Sequence, residues 1–164
     1  MYGFALGCLG LLGAATALGA DTNRTAPSAV RGSQYPMLHA DGTVTFRVSA
    51  RDAKQVQVAP RGTGNGLGDQ PLNLSRDPDG VWSVNAPVRP GFHYYQLLVD
   101  GFPCNDPLSQ TFFGWAQESS GLEVPDAKLD FYTLKDVPHG DVRICTYHSS
   151  TIGGPRRAYV YTPP

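Results

Sequence analysis

The sequence predicts an all-β sandwich. Short runs of alternating apolar residues recur at roughly 8–12 residue spacing, with turn residues between them and no long helical period. Gly and Pro are abundant, at 19 and 14 of the 164 residues, which fits a domain with many turns. Charged residues make up only 16% of the chain and the net charge is -1, so we expect no nucleic-acid partner.

The N-terminal residues predict an exported protein. Residues 1–20 are apolar, rich in small residues and uncharged, as in a cleaved signal peptide. An uncleaved anchor is the alternative; after cleavage we expect no membrane association and a secreted or periplasmic location. Residues 21–34 are polar without an apolar period and are predicted to be a linker. The folded domain is expected over residues 35–135.

Several strands follow from the alternation of apolar residues. Thr43–Ser49 and Gln55–Ala59 each place every second side chain on an apolar face. Further short strands are predicted at Leu72–Leu74, Val81–Val84, Gly121–Val124 and Leu129–Tyr132. The Gly-rich stretch Arg61–Gln70 lacks the Lys-Ser/Thr ending of a phosphate-binding loop and is predicted to be a flexible hairpin loop.

The stretch from Pro90 to Trp115 is the centre of the predicted fold. Phe92–Asp100 is dense in aromatic and aliphatic residues and lies between the turn pairs Pro90-Gly91 and Asp100-Gly101. Both of its faces are mostly apolar, which predicts a central strand covered on both sides. The chain from Phe102 onward is aromatic but broken by Pro, and we expect a long ordered loop there.

Three motifs resemble a known family in their order along the chain. LHADGTVTFRVSARDAKQVQV, DPDGVWSV and PGFHYYQLLVDG followed by NDP are similar to family 48 carbohydrate-binding modules, which have an immunoglobulin-like early-set fold. The continuation through NDPLSQTFFGWAQESSGLEVP, DFYTLKDVPHGDVR and RRAYVYTPP resembles the N-terminal module of secreted bacterial esterases of the feruloyl and acetyl-xylan type. The related N-terminal domain of siderophore esterases is a further possibility, which the leader disfavours.

The resemblance implies a second region over residues 136–164. In those esterases the module precedes an α/β-hydrolase domain, so Asp141–His148 and Arg156–Thr162 would be the first two strands of the hydrolase sheet. This hairpin would be an orphan, because the remainder of that domain is missing. The chain contains no Gly-x-Ser-x-Gly nucleophile motif, and we therefore expect it to have no esterase activity by itself.

Glycan binding is the first functional hypothesis, with a plant cell-wall polysaccharide such as xylan or glucan as the partner. Sugar rings stack on exposed aromatic side chains, while neighbouring polar groups bind the hydroxyls. The alternative for Trp82 and for one of the two adjacent tyrosines is burial in the core. The candidate residues are Trp115, Trp82, Tyr94, Tyr95, Gln96, Asp100 and Asn105.

A lid on the missing hydrolase domain is the second hypothesis, in which the module helps to form the substrate pocket without binding glycan. Its candidate residues are Asn105, Asp106, Phe112, Phe113 and Trp115. The three aromatic side chains would form an apolar patch if exposed, and such a patch is typical of a surface that packs on another domain. Packing of the loop on itself, and an Asx turn at Asn105-Asp106, are the structural alternatives. The two hypotheses differ in whether the aromatic side chains form an exposed platform or face the hydrolase.

The cysteine and histidine residues give little information about function. Cys104 and Cys145 would form a disulfide in an oxidising compartment, stabilising the fold by about 4 kcal/mol in the chain-entropy model; two free thiols are the alternative. No His or Cys has ligand spacing, and we expect no metal and no cofactor.

Overall fold

A computed structural model describes residues 23–114, 117–126, 128–129, 131 and 135–164. The all-β class is confirmed, because the described residues form thirteen strands and no helix. None of them therefore belongs to a helix that is long and apolar enough to cross a membrane. The predicted signal peptide lies outside the described residues. The chain divides into two compact units, of which the first ends at Asp126.

The first unit contains eleven strands and the second contains two. Their bounds are β1 Arg24–Thr25, β2 Met37–Leu38, β3 Thr43–Ser49, β4 Val56–Arg61, β5 Leu72–Asn73, β6 Ser75–Arg76, β7 Val81–Pro87, β8 Gly91–Val99, β9 Phe102–Cys104, β10 Thr111–Gly114, β11 Gln117–Val124, β12 Asp141–Ser149 and β13 Gly154–Thr162.

Two antiparallel sheets form the first unit. The first sheet has the order β1-β2-β3-β7-β6, and the second has the order β10-β11-β8-β4-β5, with β9 also paired to β8. The apolar core lies between them, and Phe46 of β3 meets Tyr95 of β8 edge to face at 5.0 Å between ring centroids. The predicted inward alternation of β3 and β4 is confirmed, because Val44, Val56 and Val58 are fully buried.

Strand β8 is central, as predicted, with β4 on one side and β11 on the other. Its inner face, which includes Tyr95 and Leu97, is buried in the core. Its outer face is only partly covered, because Phe92 remains 43% exposed. The prediction of cover on both sides is therefore wrong for the outer face, which belongs to the surface of the sandwich.

The long loop predicted after Phe102 is mostly strand. Asp100 and Gly101 both have positive φ, at 50° and 85°, and form a two-residue hairpin turn between β8 and β9. Strand β10 then pairs with β11, so only residues 105–110 remain as an irregular connection. Strand β11 is longer than predicted and lies inside the sheet, because β10 covers its outer edge.

The linker predicted at residues 21–34 is corrected for its described part. Strand β1 pairs with β2, and Ala26, Ser28 and Ala29 are buried. Ser28 Oγ accepts a hydrogen bond from the backbone of Glu123 at 2.9 Å, which fixes this segment to β11. The sequence did not reveal this packing because small residues become buried here through distant partners, without an apolar period of their own.

The Gly-rich loop between β4 and β5 is anchored by a buried side chain. Asn65 Nδ2 donates to the carbonyls of Arg61 and Tyr94 at 3.0 and 2.8 Å, and its Oδ1 accepts from the Leu67 N–H at 3.0 Å. Leu67 itself is buried. The predicted hairpin loop is therefore present, but Asn65 in its interior is hydrogen-bonded to β8.

The second unit contains the predicted hairpin, β12 and β13, which pair from Asp141↔Thr162 to Ser149↔Gly154. Its boundary falls earlier than the predicted residue 135, since the first unit ends at Asp126. The strand predicted at Leu129–Tyr132 falls partly outside the described residues, and neither Leu129 nor Phe131 lies in a strand.

Candidate functional site

Two of the predicted sugar contacts lie in the core. Trp82 is 6% exposed, and its Nε1–H donates to the carbonyl of Ala50 at 2.8 Å. Tyr95 is fully buried against Phe46. The predictions of Trp82 and Tyr95 as glycan contacts are therefore corrected: each points into the sandwich, because each occupies the inward position of its strand.

An aromatic cluster lies on the outer face of the second sheet, and we call it the outer aromatic cluster. It consists of Phe92 and Tyr94 of β8 with Phe112 of β10. The Phe92 ring lies 5.2 Å from Tyr94 and 4.9 Å from Phe112 between centroids, both in edge-to-face geometry. These distances and angles are those of favourable aromatic pairs. The three rings therefore support one another as one surface.

Two glycines make room for these rings. A Cβ atom at Gly121 of β11 would lie 2.6 Å from ring atoms of both Phe92 and Phe112. A Cβ atom at Gly114 of β10 would lie 2.4 Å from Cζ of Tyr94. The strands beneath the cluster thus carry no side chain where the rings cross them, which lets the rings lie close to the sheet.

The predicted polar neighbours have different environments. Gln96 lies on the outer face beside Tyr94 and is partly buried. Asp100 has a structural role in the turn after β8, where its Oδ1 accepts the N–H groups of Lys54 and Gln55, each at 2.8 Å. Asn105 follows β9, and its buried Oδ1 has no hydrogen-bond partner among the described residues.

Asp106 anchors the connection between β9 and β10. Its Oδ2 accepts the hydroxyl of Tyr95 at 2.6 Å, and its Oδ1 accepts the Leu108 N–H at 2.8 Å. Burial raises the pKa of Asp106, although these two hydrogen bonds act in the opposite direction. The pKa of Tyr95 is raised well above its usual value by burial and then by the Asp106 charge. The interpretation of Asp106 as a lid residue is not supported, because its side chain faces the core.

The remaining predicted residues are dispersed. Phe113 alternates with Phe112 along β10, so its side chain lies on the opposite face of that strand. Trp115 lies outside the described residues. Cys104 and Cys145 both carry free, exposed thiols. Because the two residues belong to different units, the candidate disulfide stays a prediction. No group of three His, Cys, Asp or Glu side chains within the described part of the chain is arranged to hold a metal.

The structure brings together residues that the sequence had assigned to different hypotheses. Tyr94 was predicted to contact sugar and Phe112 to contact a hydrolase, and both belong to the outer aromatic cluster. Sequence reasoning did not select Phe92, although its place on the same strand face as Tyr94 was a usable signal. A partly exposed aromatic surface can contact a sugar ring or pack against another domain.

Comparison with known proteins finds sequence similarity to a named enzyme. No protein-family profile matches the chain. An endo-1,4-beta-xylanase/feruloyl esterase from Xylanibacter ruminicola is 41% identical over 136 residues, which include 80% of this chain. The similarity is to part of a larger enzyme. This chain spans only 18% of that relative's length, so it matches a segment of the xylanase/feruloyl esterase.

Solved structures give weaker likenesses. The enterobactin esterase of Shigella flexneri aligns with 71% of this chain and 39% of its own length, at 20% identity and a TM-score of 0.46. A pullulanase from Paenibacillus barengoltzii aligns with 62% of this chain and 14% of its own, at 22% identity and a TM-score of 0.38. Similarity at this level does not define the function of the chain.

Proposed function

We propose that this chain is the non-catalytic, polysaccharide-binding module of an exported carbohydrate esterase that acts on plant cell-wall xylan. The outer aromatic cluster carries the proposal, because its rings hold one another in place and it is partly exposed on the outer face of the second sheet. The 41% identity to a segment of a xylanase/feruloyl esterase supports xylan as the polymer.

In the binding mode that we propose, the rings of Phe92, Tyr94 and Phe112 form the surface that contacts the sugar. Sugar rings present apolar C–H faces that stack on aromatic rings, and their hydroxyls then point sideways toward polar side chains such as Gln96. Trp115, which lies outside the described residues, remains a candidate contact in this proposal.

Affinity electrophoresis of the full chain tests this proposal, with gels that contain xylan, glucan or starch. We expect retardation by xylan and about a tenfold weaker apparent affinity for Phe112→Ala, because one stacking contact is removed. Phe113→Ala is the matched control: it removes the adjacent ring on the opposite face of β10 and should migrate like the parent chain. Absence of retardation of the parent chain by every polymer would refute autonomous binding.

A second function, as a structural module that packs on a hydrolase domain, is favoured by the hairpin of the second unit. Large apolar side chains are exposed along it, and both outer edges of this two-stranded sheet are unpaired within the described residues. An isolated two-stranded hairpin is only marginally stable in water. The exposed side chains are Val142, Ile144, Tyr147, Ile152, Tyr159, Val160 and Tyr161. We propose that β12 and β13 continue into a larger hydrolase sheet.

Activity of a complete esterase on two substrates separates these functions. If the cluster binds polymer, Phe112→Ala lowers activity on feruloylated xylan and leaves hydrolysis of a small soluble ester unchanged. If the cluster instead forms part of the catalytic pocket, the same substitution changes the KM for the small ester as well.

A further inference from the structure

A polar surface lies on the same face of the second sheet as the outer aromatic cluster, at the opposite edge of that sheet. We call it the amide row, and it consists of Gln55, Gln57 of β4 and Asn73 of β5. Asn73 Oδ1 accepts hydrogen bonds from Gln57 Nε2 at 2.9 Å and from Gln55 Nε2 at 3.3 Å. Gln55 and Asn73 are exposed, and Gln57 is partly so.

The amide row has unused hydrogen-bonding capacity. Asn73 Nδ2 and the Oε1 atoms of both glutamines have no hydrogen-bond partner among the described residues. Because the shared contact at Asn73 Oδ1 restrains all three side chains, these free donors and acceptors are held in place before any ligand arrives. Such preorganisation reduces the entropy lost on binding. Amides that offer both a donor and acceptors suit the hydroxyl groups of a sugar.

The small side chain of Ala59 lies on the sheet face between the two surfaces. Ala59 of β4 pairs with Gln96 of β8, and both lie on the outer face between the cluster and the amide row. Gln57 pairs with Leu98 on one side and with Asn73 on the other, so the amide row continues the sheet from β8 to its edge strand. From β10 to β5 there are four strand intervals, which together span roughly 19 Å.

We infer that the amide row is a second subsite for a linear glycan that crosses the strands from the outer aromatic cluster to β5. This inference rests on the proposed function, since it assumes that the cluster binds polysaccharide. The ligand class is an unbranched oligosaccharide of several sugar units, because a single sugar cannot reach both surfaces. Asn73, which the sequence marks only as part of an Asn-Leu-Ser glycosylation motif, would then contact the hydroxyls of the distal sugars.

Titration calorimetry of the full chain with linear xylo-oligosaccharides of increasing length tests the inference. For the parent chain, affinity should rise with length until the ligand spans both surfaces. The double variant Gln57→Ala/Asn73→Ala should bind short oligosaccharides like the parent chain and long ones about 3- to 10-fold more weakly. Asn85→Ala, which removes an amide from the other sheet, is the control and should match the parent at every length.

The other outcomes are decisive as well. Unchanged affinity of the double variant for long oligosaccharides would overturn the second subsite and leave the proposed function intact. An equal loss at all lengths would also overturn it, because the substitutions would then act through a disturbed sheet. If the parent chain binds no oligosaccharide and no xylan, the proposed function itself fails and the subsite with it.

Discussion

The hydroxyl of Tyr95 donates a 2.6 Å hydrogen bond to Oδ2 of Asp106, and both side chains are buried. The bond joins the central strand β8 to the connection that leads into β10. The backbone N–H of Asp106 in turn donates to Ser120 Oγ of β11 at 2.8 Å. Through these contacts the core holds the start of β10, the strand that carries Phe112 to the outer aromatic cluster.

Substitution of Tyr95 by Phe should destabilise the sandwich by about 1–3 kcal/mol, because the buried Asp106 carboxylate loses its side-chain donor. Urea unfolding of the full chain measures this loss. Tyr147→Phe, which removes a hydroxyl from the exposed hairpin, serves as the control and should leave the unfolding midpoint unchanged. A Tyr95→Phe midpoint equal to that of the parent would show that the hydrogen bond contributes nothing.

The pH dependence of stability should report the raised pKa of Asp106. The folded chain binds this proton at a higher pH than the unfolded chain does, so this group stabilises the fold as pH falls through its folded pKa, and that stabilisation is lost as pH rises. The stability of the parent relative to Asp106→Asn should therefore increase as the pH is lowered from neutral to about 4. The variant provides the reference, because all other carboxyl groups are shared.

Unfolding curves of the two proteins across that pH range measure the difference. A difference that stays constant, or that shrinks on acidification, would contradict the assignment of a raised pKa to Asp106.

Replacement of Gly121 by Ala should disrupt the outer aromatic cluster. The added methyl would lie 2.6 Å from atoms of the Phe92 and Phe112 rings, so the rings must move. We expect a loss of about 1–3 kcal/mol in the free energy of unfolding and weaker retention by xylan. Gly154→Ala is the control, since a Cβ there meets nothing within 4 Å. If xylan retains Gly121→Ala as strongly as the parent chain, xylan binding does not depend on the geometry of the cluster.

Substitution of Trp82 by Phe should weaken the fold without affecting binding. The change removes the buried hydrogen bond from Nε1 to the Ala50 carbonyl and leaves that carbonyl without this donor. The expected destabilisation is about 1–3 kcal/mol. Chemical denaturation and affinity electrophoresis in xylan gels are measured together, and a change in retention at unchanged stability would restore Trp82 as a sugar contact.

The alternation of apolar residues predicted the parts of the fold that depend on local pattern. In β3 the alternation predicted that Val44 and Phe46 face inward, and both are buried. In β8 it separated Tyr95 from Tyr94 but left open which of the two lies in the core. The same rule placed Phe92 and Tyr94 together on the other face of β8. Of the longer strands, β7 and β11 were predicted but extend beyond the predicted ends, whereas the short strands β1, β9 and β10 were not predicted.

Long-range pairing decided what the local pattern could not. Residues 24–30 resemble a polar linker in sequence, yet they are held by backbone hydrogen bonds to Pro36 and Leu108 and by the hydrogen bond between Ser28 and Glu123. The stretch after Phe102 has no clean period because two short strands in it, β9 and β10, pair with different neighbours.

The all-β class, the central strand and the grouping of its side chains by face can be predicted from local sequence pattern, because a strand's period of two is a local property. The contact of Phe92 with Phe112 over Gly121, and the row of Gln57 and Asn73 on the same face, exist only in the folded chain. These contacts join residues from different strands, so the strand order and register create them, and neither can be deduced from the spacing of residues along one strand.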